Sequence, residues 1–192
     1  MAMPLIFSPF IVTSALIITL IPSLSEQVVL KNYKNIKNDI LLAIKTTLLM
    51  SIPLTALYAF FSQPLAIFLY DDPKVGEFIH IMSYGTVFVA INHTLSGILN
   101  GLSKQINVTI NQLIGILLQL FCVYYLVDNP KFIINGFFIG FYLRILATSI
   151  LNFFTLRKMI KMQVNYKDLL AKPLIATAFM VISIYIFRYY IH

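Results

Sequence analysis

Long apolar runs alternate with short polar connectors along this chain. The runs lie near residues 3–24, 40–62, 77–99, 106–127, 132–156 and 173–191. Each approaches the ~20 residues that a helix needs to cross a bilayer. They are unbroken stretches, not the short amphipathic repeats of helices that share one apolar face with a soluble core. The pattern predicts an all-α polytopic membrane protein, with about six transmembrane helices in one domain covering 1–192.

The connectors alternate in charge. "SEQVVLKNYKNIKND", "GLSKQ" and "RKMIKMQVNYKDLLAK" hold nine basic residues: Lys31, Lys34, Lys37, Lys104, Arg157, Lys158, Lys161, Lys167 and Lys172. The other connectors and the C-terminal tail hold three, Lys74, Lys131 and Arg188, with Asp71, Asp72 and Asp128 nearby. Basic loops stay on the cytoplasmic side, so the first span is expected to run from outside to inside and the chain to be multi-pass in the cytoplasmic membrane. A chain that starts outside is most simply the C-terminal part of a longer one, lacking an odd number of upstream spans. A complete small protein with an exported N-terminus is the alternative. "MAMPLIFSPFIVTSALIITLIPSL" has no basic start and too long an apolar run for a cleaved signal.

Composition supports the membrane reading. With 59% hydrophobic and 11% charged residues and a mean hydropathy of +0.87, the chain has too few polar residues to cover a soluble surface. The net charge of +7 is spread between apolar runs, not gathered into a nucleic-acid patch. Cys122 is the single cysteine, which excludes a disulfide framework and is simplest as a packing residue. Trp is absent, so the 11 Tyr and 16 Phe must supply any aromatic belt.

Polar residues inside the runs fall into stripes. Asn111, Gly115 and Gln119 are spaced four apart, as are Gly136, Gly140, Arg144, Thr148 and Asn152. The third run carries His80, Ser83, Gly85, Asn92, His93, Ser96, Gly97 and Asn100. Residues four apart share a helix face, and such a stripe drifts by about 40° per step on a helix with 3.6 residues per turn. Two readings stand open. Small and polar residues can form a seam between helices, or the stripes can line a water-filled cavity for a polar group such as a sugar. Pro4, Pro9, Pro22 and Pro53 are expected to kink the first two spans, as ordinary membrane-helix prolines or as points that bend in a transport cycle.

Arg144 sits about twelve residues from either end of its run, near mid-bilayer at ~1.5 Å per residue. An arginine there costs about 2.5–3.5 kcal/mol on insertion scales. It must face protein, water or a ligand anion, and guanidinium matches phosphate with a bidentate fork. HExxH, GxSxG and a Gly-rich phosphate loop are all missing. His80 and His93 are thirteen apart, without metal-ligand spacing, so His93 is expected to bond a neighbouring helix. Glu77 sits at an outer edge of its run, and no acid lies deep enough in the membrane to mark a proton or sodium relay. No enzyme chemistry, metal or cofactor is expected.

"MAMPLIFSPFIVTSALIITLIPSLSE", "TLSGILNGLSKQ" and "GILLQLFCVYYLVDNPKFIINGFFIGF" resemble, in order and spacing, segments of the stage V sporulation protein B family. The resemblance covers essentially the whole chain. That family belongs to the multidrug/oligosaccharidyl-lipid/polysaccharide exporter superfamily of MATE-like transporters and lipid II flippases, whose full members have two pseudo-symmetric lobes around a central cavity. The resemblance implies a C-terminal lobe that works with a missing N-terminal lobe or another copy, and whose own last span is missing as well. It implies export of a lipid-linked saccharide on polyprenyl diphosphate, plausibly a peptidoglycan precursor in sporulation. On that reading Arg144 meets diphosphate, and Asn92, Asn111, Gln119 and Asn152 meet sugar hydroxyls. Two alternatives are a cation-coupled multidrug or metabolite antiporter of the same superfamily and a non-transporting membrane scaffold.

Overall fold

The structure, a computed structural model, describes residues 9–127, 133–160 and 173–183, and all of its regular elements there are helical. They are α1 (Pro9–Val29), α2 (Tyr33–Phe60), α3 (Ser62–Tyr70), α4 (Lys74–Ser83), α5 (Gly85–Gly101), α6 (Gln105–Val127) and α7 (Ile133–Ile160), followed by α8 (Pro173–Ser183). Among the described residues three helices are long and apolar enough to cross a membrane, and a fourth span forms if α4 and α5 count as one. The chain is an all-helical polytopic membrane protein. The run expected at 40–62 lies in α2, that at 106–127 in α6 and that at 132–156 in α7. Residues 3–8 of the first run and 184–191 of the last lie outside the described residues, as do Pro4 and the basic connector residues Lys161, Lys167 and Lys172.

The structure adds to the sequence pattern at three places. α1 runs on through Pro22 and α2 through Pro53, whereas the sharp bend, 50°, falls between α4 and α5 where there is no proline. The break at Ser83-Tyr84-Gly85 is held by side chains that take over carbonyls of the preceding turn. Ser83 Oγ donates to the carbonyl of His80 at 2.7 Å, and the Tyr142 hydroxyl of α7 donates to that of Ile81. A Ser/Gly pair with its carbonyls answered from outside is a recognised cause of kinks. The third place is α3, which occupies a stretch read as connector. Its Ser62 and Ala66 are buried while Ile67, Phe68 and Leu69 are exposed, and nine residues reach only ~13 Å.

α5 is the centre of the bundle. It packs against α1, α2 and α7, while α6 lies against α7 along its length. The turns α1–α2 and α5–α6 meet at one end, where Ser25 Oγ donates to the carbonyl of Gly101 at 3.0 Å. Those two turns bring Lys31, Lys34 and Lys104 together at that end. Both turns close with a non-glycine residue in the left-handed region, Lys31 (φ 54) and Ser103 (φ 60). The pairs of bonds Lys31 N–Val28 O with Asn32 N–Gln27 O, and Ser103 N–Asn100 O with Lys104 N–Leu99 O, answer carbonyls that a helix end leaves open.

Of three buried apolar clusters among the described residues, Tyr58, Ala66, Val75 and Ile79 pack α2, α3 and α4 together, and the other two flank the candidate site. One, around Leu24, Ile40, Leu48, Leu95, Leu99 and Leu156, fills the lysine-rich end. The other, Met82, Val89, Phe138, Phe141 and Ile145, lies towards the opposite end. The site described next lies between them.

Candidate functional site

The polar stripes of α6 and α7 face each other in antiparallel register. Asn111 Nδ2 donates to Asn152 Oδ1 at 2.8 Å. One turn on, a Cβ added at Gly115 would stand 2.4 Å from Thr148 Cγ2 and 3.2 Å from the Arg144 carbonyl oxygen. The next turn pairs Gln119 Oε1 with Arg144 Nη1 at 3.3 Å. The seam reading therefore holds for this pair of helices: only glycine lets the backbones approach this closely at 115, and the amides bond across. Thr148 is spent within α7, its hydroxyl donating to the carbonyls of Arg144 and Ile145.

Beside this seam, α5, α6 and α7 enclose a cavity of about 220 Å³, lined by Val89, Asn92, His93, Ser96, Gln112, Phe141, Arg144 and Ile145. A seam and a cavity thus lie on adjacent faces of the same helices. Arg144 belongs to both, since it bonds Gln119 in the seam and lines the cavity. Among the described residues no carboxylate pairs with it. A guanidinium has five N–H donors, and most of Arg144's remain to meet water or ligand.

The sequence-predicted residues separate into two groups. Arg144 and Asn92 line the cavity. Asn152 is fully buried, with its amide donating to Asn92 Oδ1 and Ser96 Oγ, both at 3.1 Å. Asn111 is nearly buried and adds a 3.4 Å contact to Thr155 Oγ1. Gln119 touches Arg144 from outside the lining set. The five form two hydrogen-bonded groups, Asn111–Asn152–Asn92 and Gln119–Arg144, that meet at the cavity, with Asn92 and Arg144 in its wall and the other three behind it.

His93 bonds Thr13 of α1 at 2.8 Å, the neighbouring-helix contact expected from the sequence. No group of three metal-ligating side chains occurs among the described residues. Sequence reasoning missed Gln112 as a lining residue, because it sits one position off the Asn111 stripe. It also passed over Lys45, a half-buried lysine inside α2, whose signal was its position within an apolar run.

The MatE family model matches residues 1–126, which covers α1 to α6. The chain belongs to the MatE family. No curated protein and no solved structure matches it. MatE proteins are membrane transporters of the multidrug/oligosaccharidyl-lipid/polysaccharide exporter superfamily, and the match supports a transport role for this chain. Arg144, Thr148 and Asn152 lie beyond the matched stretch, so their roles rest on the geometry alone.

Proposed function

We propose that this MatE-family chain flips a lipid-linked saccharide, carried on polyprenyl diphosphate, across the cytoplasmic membrane by alternating access. Arg144 supports this reading best: a guanidinium deep in α7 that opens on a polar cavity and has no paired carboxylate among the described residues. An unpaired charge at that depth is costly unless something anionic or wet meets it. The anionic head enters the cavity, Arg144 takes a phosphate, Asn92 and its neighbours take polar groups, and the isoprenoid tail stays in lipid. No bond is made or broken. At about 220 Å³ the cavity is below the usual ~300–1,000 Å³ of small-molecule sites, so it holds the phosphates or a single ring, and a facing lobe, from the same chain or another copy, supplies the rest of the path. Rocking of one lobe against the other then exposes the head to each side in turn.

The small cavity also favours a second reading, a cation-coupled antiporter for small amphipathic molecules. Export of the lipid-linked precursor in cells whose native protein carries Arg144→Ala separates the two. Flipping predicts at least a tenfold loss of precursor on the outer leaflet, partly restored by Arg144→Lys. Unchanged export in Arg144→Ala, with lost efflux of a small amphipathic drug, would favour the antiporter instead.

A further inference from the structure

The asparagines that join α5, α6 and α7 are hydrogen-bonded in one direction. Asn111 Nδ2 donates to Asn152 Oδ1 at 2.8 Å. Asn152 Nδ2 then donates to Asn92 Oδ1 and to Ser96 Oγ, both at 3.1 Å. Asn152 is fully buried, and both of its N–H groups and its carbonyl are engaged, so it has nothing left to offer a ligand. Its effect falls on the next two residues. Asn92 has its carbonyl turned back to Asn152, which leaves its NH₂ for the cavity. Ser96 has a lone pair taken, which leaves its O–H to donate. Both line the same cavity as Arg144.

We propose that Asn152 is a positioning residue that presents Asn92 and Ser96 donor-first to the cavity, so that with Arg144 they build a subsite for an acceptor-only oxyanion of phosphate type. The proposal rests on the reading of Arg144 as facing a ligand, and deepens it by moving Asn92 from sugar hydroxyls to phosphate oxygens. A phosphate oxygen only accepts, and bonds with one charged partner are about twice as strong as neutral ones. A sugar hydroxyl is donor and acceptor in one and gains less from a wall of donors.

Inorganic diphosphate is the probe, titrated calorimetrically against the full chain in detergent micelles. Wild type is expected to bind it, and Arg144→Ala to bind at least tenfold more weakly. Asn111→Asp lies outside the cavity lining but removes the first donor of the relay. Ionised, the new carboxylate only accepts, so Asn152 turns its NH₂ to residue 111 and its carbonyl to Asn92 and Ser96, drawing their donors away from the cavity; burial favours the protonated form, which still donates, so the titration is run at alkaline pH. A loss of at least tenfold is expected. Because a buried aspartate can unfold the seam, Ser96→Ala is the second variant. It leaves both Asn–Asn bonds in place and is expected to weaken binding by about tenfold, with recovery in Ser96→Thr. If Asn111→Asp and Ser96→Ala bind like wild type while Arg144→Ala does not, the relay is wrong and the Arg144 site stands. If wild type binds no diphosphate, or prefers a neutral disaccharide, the subsite is overturned whatever Arg144→Ala does to export.

Discussion

Single residues decide how closely α6 and α7 approach. At Gly115 even a methyl group would collide with Thr148 Cγ2, at 2.4 Å. Gly115→Ala is therefore expected to lower stability in detergent by about 1–3 kcal/mol, the usual cost of overpacking. Thr148→Ser removes the colliding methyl and keeps the hydroxyl that bonds the Arg144 carbonyl. The double variant should recover most of the loss, a non-additivity expected of touching residues. Thermal midpoints of the four proteins check this, and additive losses would mean that the seam is looser than described. The four-residue spacing of Asn111, Gly115 and Gln119, and of Gly140, Arg144, Thr148 and Asn152, was legible in the sequence as separate stripes. Which stripe met which was not, because a four-residue repeat fixes a face of one helix and says nothing of the face opposite. Gln112 shows the same limit: one position from a seam residue, it becomes a cavity residue only when α5 takes its place beside α6.

At the scale of elements, the long helices were legible, but the bend between α4 and α5 and the short α3 were not. Pro22 and Pro53 lie inside helices that continue, while Ser83-Tyr84-Gly85 bends by 50°. The bend depends on a hydroxyl from another helix, and no local pattern encodes that. Tyr142→Phe should loosen it, at a cost of about 0.5–1.5 kcal/mol for the lost bond. Hydrogen exchange would then quicken for amides around residues 80–86 and stay unchanged in α6. Equal exchange at the bend in both proteins would show that Ser83 and Gly85 hold it alone. α3 is a second case. Its exposed Ile67, Phe68 and Leu69 end at a turn with Asp71 in the left-handed region and Asp72 Oδ1 accepting from the Lys74 amide. A helix too short to span, apolar outside and charged at its end, suits the membrane interface. The chain contains no Trp, so Phe68→Trp gives a single reporter. Lipids brominated near the headgroup should quench it more than lipids brominated near the chain end, and the reverse order would place α3 deep in the bilayer.

For the whole molecule, the balance between a wet cavity and a dry bundle separates a transporter from a scaffold. In a Cys122→Ser background, a hydrophilic thiol reagent should label Gln112→Cys, which lines the cavity. It should spare Thr148→Cys, which is buried in the seam, and Leu117→Cys, which is exposed on the apolar face. Labelling at none of the three would mean a closed, dry cavity and would favour the scaffold. Lys45 belongs to this scale as well: a half-buried lysine in α2 adds positive charge inside the apolar region, in the same sense as Arg144.

The sequence by itself determined the solvent, the helices and the distribution of charge. Long apolar runs have no stable exposure to water, and a backbone in lipid must close its own hydrogen bonds, so runs of about twenty apolar residues become helices whatever surrounds them. It also marked Arg144 as anomalous, since a guanidinium at that depth is costly unless water, protein or an anion meets it. The tertiary structure decided what that anomaly faces. Asn92, Asn111, Gln119 and Asn152 are chemically alike in the sequence, yet Asn152 is sealed between three helices and Asn92 opens on the cavity. An amide's role depends on which of its donors and acceptors are already taken. Those partners come from helices 41 and 60 residues away, at distances over which no local pattern carries information.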